Sequence, residues 1–368
     1  MCLSNNGVVF EFGQLWGKLS APGVQQIVTV PRPVQGLPGP TVSISAGGSF
    51  SVAVVGGPRG AVYSWGFGDK GCLGLADTEH RAEPTLVTQL ECEEEDKVVS
   101  VSCGDLHTLA LHKSGHVSSW GCGQLGQLGR KVHAIPGTAI VEPILRIPNL
   151  TGVIQVTCGH RHSVAVDCFG AMMTWGEGSE GRLGHGSDSP CPVPTHVSLP
   201  GFVLTASAGR YHTLVTTSTG ALWAFGCGEF GQIGSGFSNS YLPVKVDMGS
   251  APQSAGGAVG ADGQWHASTM ASAAGAFHSL LLADTGEVAT LGGDFARGLP
   301  LPAQPPSFVD TTAATDDVDG EDGEEEVEDG GWGEEGAAEE DTDDADDEDD
   351  AGMFSPLVHN NNNLLLGV

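Results

Sequence analysis

Basic residues are scarce in this chain and confined to one part of it. The 368 residues hold 15 Lys and Arg against 45 Asp and Glu, and every basic side chain precedes position 300. No basic stripe or patch is visible, which argues against direct reading of DNA or RNA. No apolar run approaches the ~20 residues that a membrane helix needs. The opening MCLSNNGVVFEF lacks a basic stretch followed by an apolar one, so it does not read as a secretory signal. The nine cysteines contain no Cys-x-x-Cys pair, which argues against a disulfide framework or a zinc site. The expected address is a reducing one inside the cell, cytoplasm or nucleus, not a secreted one. Neither Gly-x-Ser-x-Gly nor His-Glu-x-x-His occurs, so two common hydrolase signatures are missing.

Glycine, by contrast, is abundant, at 56 residues, while aromatics make up only 6%. Much of that glycine falls in a repeat. The pattern aromatic-Gly-x-Gly-x-x-Gly-x-Leu-Gly appears as SWGFGDKGCLG at 64–74, SWGCGQLGQLG at 119–129, TWGEGSEGRLG at 174–184 and AFGCGEFGQIG at 224–234. Weaker copies stand at 11–19 and 291–299, and successive copies lie 50 to 66 residues apart. Ahead of each comes Gly-x-x-His-Ser/Thr with an apolar run: CGDLHTLAL, CGHRHSVAV, AGRYHTLV and AGAFHSLLL, at 103–111, 158–166, 208–215 and 274–282. A further copy, AGGSFSVAV at 46–54, has Phe50 in place of His. Gly115, Gly220 and Gly286 mark hairpin turns between the two motifs. Each unit therefore holds about four short strands, the content of one β-propeller blade, and its two faces can be buried only by neighbouring blades.

The side chains fit that picture. Trp65, Trp120, Trp175 and Phe225, each followed by Gly66, Gly121, Gly176 or Gly226, recur at a place where a large ring would wedge between blades. Cys103 with Cys158, and Cys122 with Cys227, share repeat positions and read as small buried groups. His107, His162, His212 and His278 allow two readings, a ring of metal-binding or catalytic imidazoles and a set of structural hydrogen bonds. Symmetric copies belong to separate blades and do not converge, which favours the second. No metal and no cofactor are expected.

The two alternating motifs resemble the regulator-of-chromosome-condensation repeat over about residues 5–310. The resemblance implies an all-β fold, a β-propeller of seven blades, of which about six four-stranded ones are recognisable here. Fewer blades, an open ring and an incomplete sequence all remain as explanations. The propeller is assigned to 1–309, with a Gly/Ala/Ser-rich insert at 247–271, an acidic tail at 310–352 and a low-complexity end at 353–368. Of the 45 acidic residues, 22 lie in 1–309 and 23 in 310–350. Such a tail suits basic protein partners, or serves only to solvate the chain.

Three functions follow from the resemblance. The first is a non-catalytic protein-interaction scaffold. The variable pairs inside Gly-x-x-His would read the partner: Asp105 and Leu106, His160 and Arg161, Arg210 and Tyr211, Ala276 and Phe277. The second is a guanine-nucleotide exchange factor for a Ran-like small GTPase, because residues at these places meet the GTPase in the founding member, and Asp105 in GDLHT is similar to one of them. That member carries an extra hairpin wedge within one Gly-rich motif and a basic N-terminal tail. The four well-kept motifs here are uninterrupted and the tail is acidic. The third is an ultraviolet-B photosensor, whose chemistry needs clustered Trp and Arg. The position after the motif glycine here holds Asp105, His160, Arg210 or Ala276, with no Trp.

Overall fold

The computed structural model describes residues 1–15, 26–90, 94–132, 141–246, 269–284, 286, 288–292 and 307–309. Among them, six antiparallel sheets follow one another along the chain. Sheet 1 has three strands, β1 (Cys2–Leu3), β2 (Val9–Leu15) and β3 (Gln26–Pro33). Sheet 2 holds β4 (Thr41–Ala46), β5 (Phe50–Val55), β6 (Ala61–Gly66) and β7 (Arg81–Leu86). Sheet 3 holds β8 (Val98–Cys103), β9 (His107–His112), β10 (Val117–Gly121) and β11 (Leu145–Arg146). Sheet 4 holds β12 (Val153–Cys158), β13 (His162–Asp167), β14 (Met172–Gly176) and β15 (Cys191–His196). Sheet 5 holds β16 (Val203–Ala208), β17 (His212–Thr217), β18 (Leu222–Gly226) and β19 (Ser240–Lys245). Sheet 6 holds β20 (Thr269–Ala274), β21 (His278–Ala283), β22 (Val288–Gly292) and β23 (Ser307–Val309). This is the expected all-β propeller of six blades.

The repeat explains the strand order. Each Gly-x-x-His places its His at the start of a second strand, and each aromatic-Gly ends a third strand opposite it: His162 pairs with Gly176 and His212 with Gly226. The proline-bearing segments form the outer edge strands β7, β15 and β19, where a missing N–H costs least. The first strands β4, β8, β12, β16 and β20 pack against one another from sheet to sheet, so they form the inner edge of the array. An inner edge would leave backbone N–H groups unpaired. A hydroxyl from the preceding sheet meets one of them at each step. Ser45 Oγ accepts from Cys103 N–H at 2.9 Å, Ser102 Oγ from Cys158 N–H at 2.9 Å, and Ser207 Oγ from Ala274 N–H at 2.9 Å.

The core lies between sheets, not within them. Trp120 of sheet 3 packs with Val52, Val54 and Leu73 of sheet 2. Trp175 of sheet 4 packs with Leu109 and Val117 of sheet 3, and Phe225 of sheet 5 with Val164 and Met172 of sheet 4. Trp65 joins Val9 of sheet 1, and Leu291, at the same repeat position, closes the sequence against Leu214 and Ile233. Among the described residues, no apolar cluster joins sheet 6 to sheet 1. A fully buried indole withdraws enough area for roughly 5 kcal/mol of hydrophobic stabilisation. Gly74, Gly129 and Gly184, the last glycines of their motifs, make room for the next sheet's ring: a Cβ on Gly129 would stand 2.8 Å from the Trp175 indole nitrogen.

The stretch assigned to an insert, 247–271, overlaps the start of β20. Residues 269–271 already belong to β20, because Thr269 and Ala271 pair with Ala283 and Leu282. Residues 247–268, the tail from 310 onward, and most of the weaker motif copies lie outside the described residues. Phe50 fills the slot that histidine takes elsewhere and is 3% exposed. Trp175→Phe keeps a ring but loses the indole N–H, and should cost about 1 kcal/mol. Trp175→Ala should cost about 3–5 kcal/mol, read from denaturant unfolding midpoints of the two variants.

Candidate functional site

In an antiparallel sheet the loops after strands one and three emerge at the same end. Backbone bonds confirm it: Leu106, Arg161 and Tyr211 carbonyls accept from Cys122, Glu177 and Cys227 N–H groups at 2.8, 2.9 and 2.9 Å. The variable pairs and the Gly-rich loops therefore share one face. The opposite end carries the β-hairpin turns.

Each Gly-x-x-His loop is locked twice. Its imidazole lies over its own glycine, where a Cβ on Gly159 would meet the His162 ring at 2.1 Å. In His107, His162 and His212 the ring then reaches the next sheet. His107 Nε2 lies 3.0 Å from Ser163 Oγ, His162 Nε2 3.0 Å from Thr213 Oγ1, and His212 Nε2 2.8 Å from Ser279 Oγ. Those hydroxyls donate to the carbonyls of Gln127, Arg182 and Gln232 in the Gly-rich loops at 2.8, 2.9 and 2.8 Å. A carbonyl only accepts, so the hydroxyl proton is committed there and the imidazole must donate from Nε2. The Trp175 indole donates to the same Gln127 carbonyl at 3.0 Å, and the Trp120 indole to Cys72 at 2.9 Å. The histidines thus hydrogen-bond neighbouring sheets and do not converge. Among the described residues no three metal-ligating side chains come together.

Burial keeps these rings neutral. It pushes His107 and His212 down to about 3, and His162 well below its usual value. Burial also lifts Cys103 to about 12, so it is an inert thiol. None of the eight described cysteines is paired.

The loops are also chained to one another. Gly48 N–H donates to the Asp105 carbonyl at 3.1 Å, Asp105 to His160 at 2.9 Å, His160 to Gly209 at 3.3 Å and Arg210 to Gly275 at 3.1 Å. On this backbone the side chains form a continuous band across sheets 3 to 6. His160 Nε2 meets Asp105 Oδ2 at 3.3 Å. Burial opposes ionisation of Asp105, but the His160 hydrogen bond and the charges of Arg161 and Arg210 outweigh it and hold the carboxyl below its usual range. The His160 ring lies 6.0 Å from Tyr211, Tyr211 5.9 Å from Phe277, and Phe277 5.1 Å from Phe230. Arg210 approaches the Tyr211 ring at 5.2 Å. Leu106 and Ala276 are half-buried in the same loops, and Arg161 is exposed.

Two members of this band did not emerge from the repeat analysis. Arg182 is 1% exposed, yet its guanidinium sits 4.8 Å from the Tyr211 centroid. It donates to Glu177 at 2.9 Å and to the Ser179 carbonyl at 3.0 Å. Its sequence signal was a charge where the other copies hold Cys72, Gln127 and Gln232. Phe230 is the second, aromatic where other copies have Lys70, Leu125 and Glu180. Its placement depends on Gln232, whose Oε1 accepts from Phe230 N–H at 2.9 Å, as Gln127 does for Leu125. The two loops without that glutamine turn differently: Lys70 and Glu180 adopt φ of 55° and 62°, a left-handed conformation disfavoured for such side chains.

A family model described as an RCC1-like domain matches residues 1–299. The chain belongs to the RCC1-like family. Among relatives of this RCC1-like propeller, human E3 ubiquitin-protein ligase HERC2 is 37% identical over 202 residues, 54% of this chain and 4% of that one. Arabidopsis thaliana ultraviolet-B receptor UVR8 is 37% identical over 173 residues, 46% of this chain and 38% of the receptor. The chain thus spans well under two thirds of these relatives. Human WBSCR16 shares the fold with a TM-score of 0.64 at 22% identity, covering 82% of this chain and 74% of that one. Prp20p of Saccharomyces cerevisiae does so at 0.52 and 19%, covering 85% and 88%. Among the described residues no helix is long and apolar enough to cross a membrane.

The neutral histidines make a prediction about acid. An unfolded imidazole takes a proton below about pH 6.5, whereas His107 and His212 resist until about 3. Stability is therefore full above pH 6.5 and falls as pH drops through that window. Each such histidine should cost about 2 kcal/mol by pH 5, so the thermal unfolding midpoint should fall steeply between pH 7 and 5. A flat midpoint over that range would contradict neutral, hydrogen-bonded rings.

Proposed function

We propose that this RCC1-like propeller is a non-catalytic interaction scaffold that meets a protein partner with the band Asp105, His160, Arg161, Arg210, Tyr211 and Phe277, backed by Arg182 and Phe230. The observation that carries the reading is the continuity of aromatic, imidazole and guanidinium groups across sheets 4 to 6, joined through His160 to Asp105 of sheet 3, on a locked backbone. Tyr and Arg held in place lose little conformational entropy on binding and are over-represented among interface hot spots. Prp20p, a structural neighbour, is described by its binding to Gsp1p and histones, which supports a protein as the ligand class. The acidic stretch 310–352 adds a second contact, suited to basic proteins.

Guanine-nucleotide exchange on a Ran-like GTPase is the second reading, and Asp105 on the band is the feature that favours it. The uninterrupted Gly-rich loops at 66–74, 121–129, 176–184 and 226–234 offer no inserted wedge to pry open a nucleotide site, so the scaffold reading stands first. The photosensor reading lacks the Trp cluster it needs: Tyr211 and Phe277 are the aromatics of the band. Ligase activity is not carried over, since the match covers 4% of HERC2.

An interaction screen with the full chain and an Arg161→Glu, Tyr211→Ala variant tests the main reading. Binding partners should be lost in the variant while it stays folded at the temperature of the screen; partners retained at equal strength would refute the band as the docking surface. In parallel, release of labelled GDP from Ran should not accelerate at micromolar protein. Acceleration abolished by Asp105→Ala would move the reading to exchange.

A further inference from the structure

The inner strands carry a second repeated feature, at the end away from the band. β4, β8, β12, β16 and β20 each break register with their neighbour at the second residue. The residue expelled from the ladder is Val42, Val99, Ile154, Leu204 or Met270. A bulge bends a strand and leaves one residue unpaired, but it asks nothing of that residue's side chain. All five are nevertheless apolar and exposed, from 36% at Val99 to 55% at Val42, Leu204 and Met270.

In sheets 4 and 5 the bulges adjoin two larger exposed rings. Phe169, in the turn between β13 and β14, is 77% exposed, and Phe202, just ahead of β16, is 63% exposed. Both line an open groove of about 330 Å³ together with Met172, Val197 and Leu199. Phe202 lies against Gly170, where a Cβ would come within 2.8 Å of it. Single exposed apolar residues are ordinary, whereas a shelf of large ones around a groove marks a surface that something covers.

The path of the chain indicates what covers it. The last described strand delivers the chain to this same end: Val309 pairs with Val288, the first residue of β22, beside the hairpin turn of sheet 6. From there 310–352 runs to an apolar end containing Met353, Phe354, Leu357, Val358 and Leu364 to Leu366. The intervening 43 residues can span up to ~140 Å, so sheets 4 and 5 are within reach. The carboxylates of 310–352 cannot enter an apolar groove without a large desolvation cost, while the apolar residues beyond them can. Tethering also places that end at an effective concentration in the millimolar range, far above a second copy at micromolar protein.

We propose that residues 353–368 dock in cis on the groove lined by Phe169, Phe202, Met172, Val197 and Leu199.

The test uses the full chain with p-benzoylphenylalanine in place of Phe169, or separately of Phe202, two exposed positions that leave the core untouched. Equal amounts of ¹⁵N-labelled and unlabelled protein are mixed, irradiated and analysed by mass spectrometry. The proposal expects an intrachain adduct with the peptide 353–368 from at least one position. That adduct should fall at least tenfold when Leu364, Leu365 and Leu366 are all changed to Asp. Adducts joining labelled to unlabelled chains, adducts with a different protein or segment, or none from either position would overturn it.

Discussion

One carbonyl in each of four Gly-rich loops, those of sheets 2 to 5, ties neighbouring sheets together. In each Gly-rich loop it accepts from a side chain of the following sheet: the Trp120 indole at Cys72, the Trp175 indole and Ser163 hydroxyl at Gln127, and the Thr213 and Ser279 hydroxyls at Arg182 and Gln232. The hydroxyl in turn orients the histidine of the blade whose loop it bonds. Two motifs from neighbouring units are thereby joined in one hydrogen-bonded unit beneath the surface. A buried carbonyl left unpaired would cost about 1–3 kcal/mol, so the link is demanded by burial as much as it is favoured by bonding.

That arrangement also shapes the exposed face. The glycine N–H of each loop donates to the carbonyl of its own histidine and closes it, and the loops bond one another from Gly48 to Gly275. The residues between glycine and histidine are thus carried on a backbone with little freedom of its own. They can vary in chemistry without changing the scaffold, which is how Asp105, His160, Arg210 and Ala276 come to occupy one structural position. The hairpin end is built differently, from turns and bulges, and the five residues its bulges expel from the ladder are all apolar.

Much of this was legible in the sequence because the repeat is a direct image of the packing. The spacing placed Trp175 as a ring wedged between blades; that Gly129 makes room for it appears only in the packing. The spacing alone named no partner for the histidines; for His107, His162 and His212 it is a hydroxyl of the next sheet. Arg182 and Phe230 escaped because the repeat treats their positions as variable filler. Their roles arise from neighbours 25 to 50 residues away, such as Tyr211 and Phe277, and no local pattern encodes that proximity. The bulges at Val42, Val99, Ile154, Leu204 and Met270 were invisible for another reason: an apolar second residue in a strand looks like core until the register shows it expelled.

The link between sheets is tested most directly by amide hydrogen exchange on Thr213→Val, which keeps shape but removes the hydroxyl between His162 and the Arg182 carbonyl. The account predicts severalfold faster exchange in 159–162 and around 182, with 104–107 in sheet 3 unchanged. Exchange that stays the same in 159–162, or that rises equally throughout the chain, would contradict it.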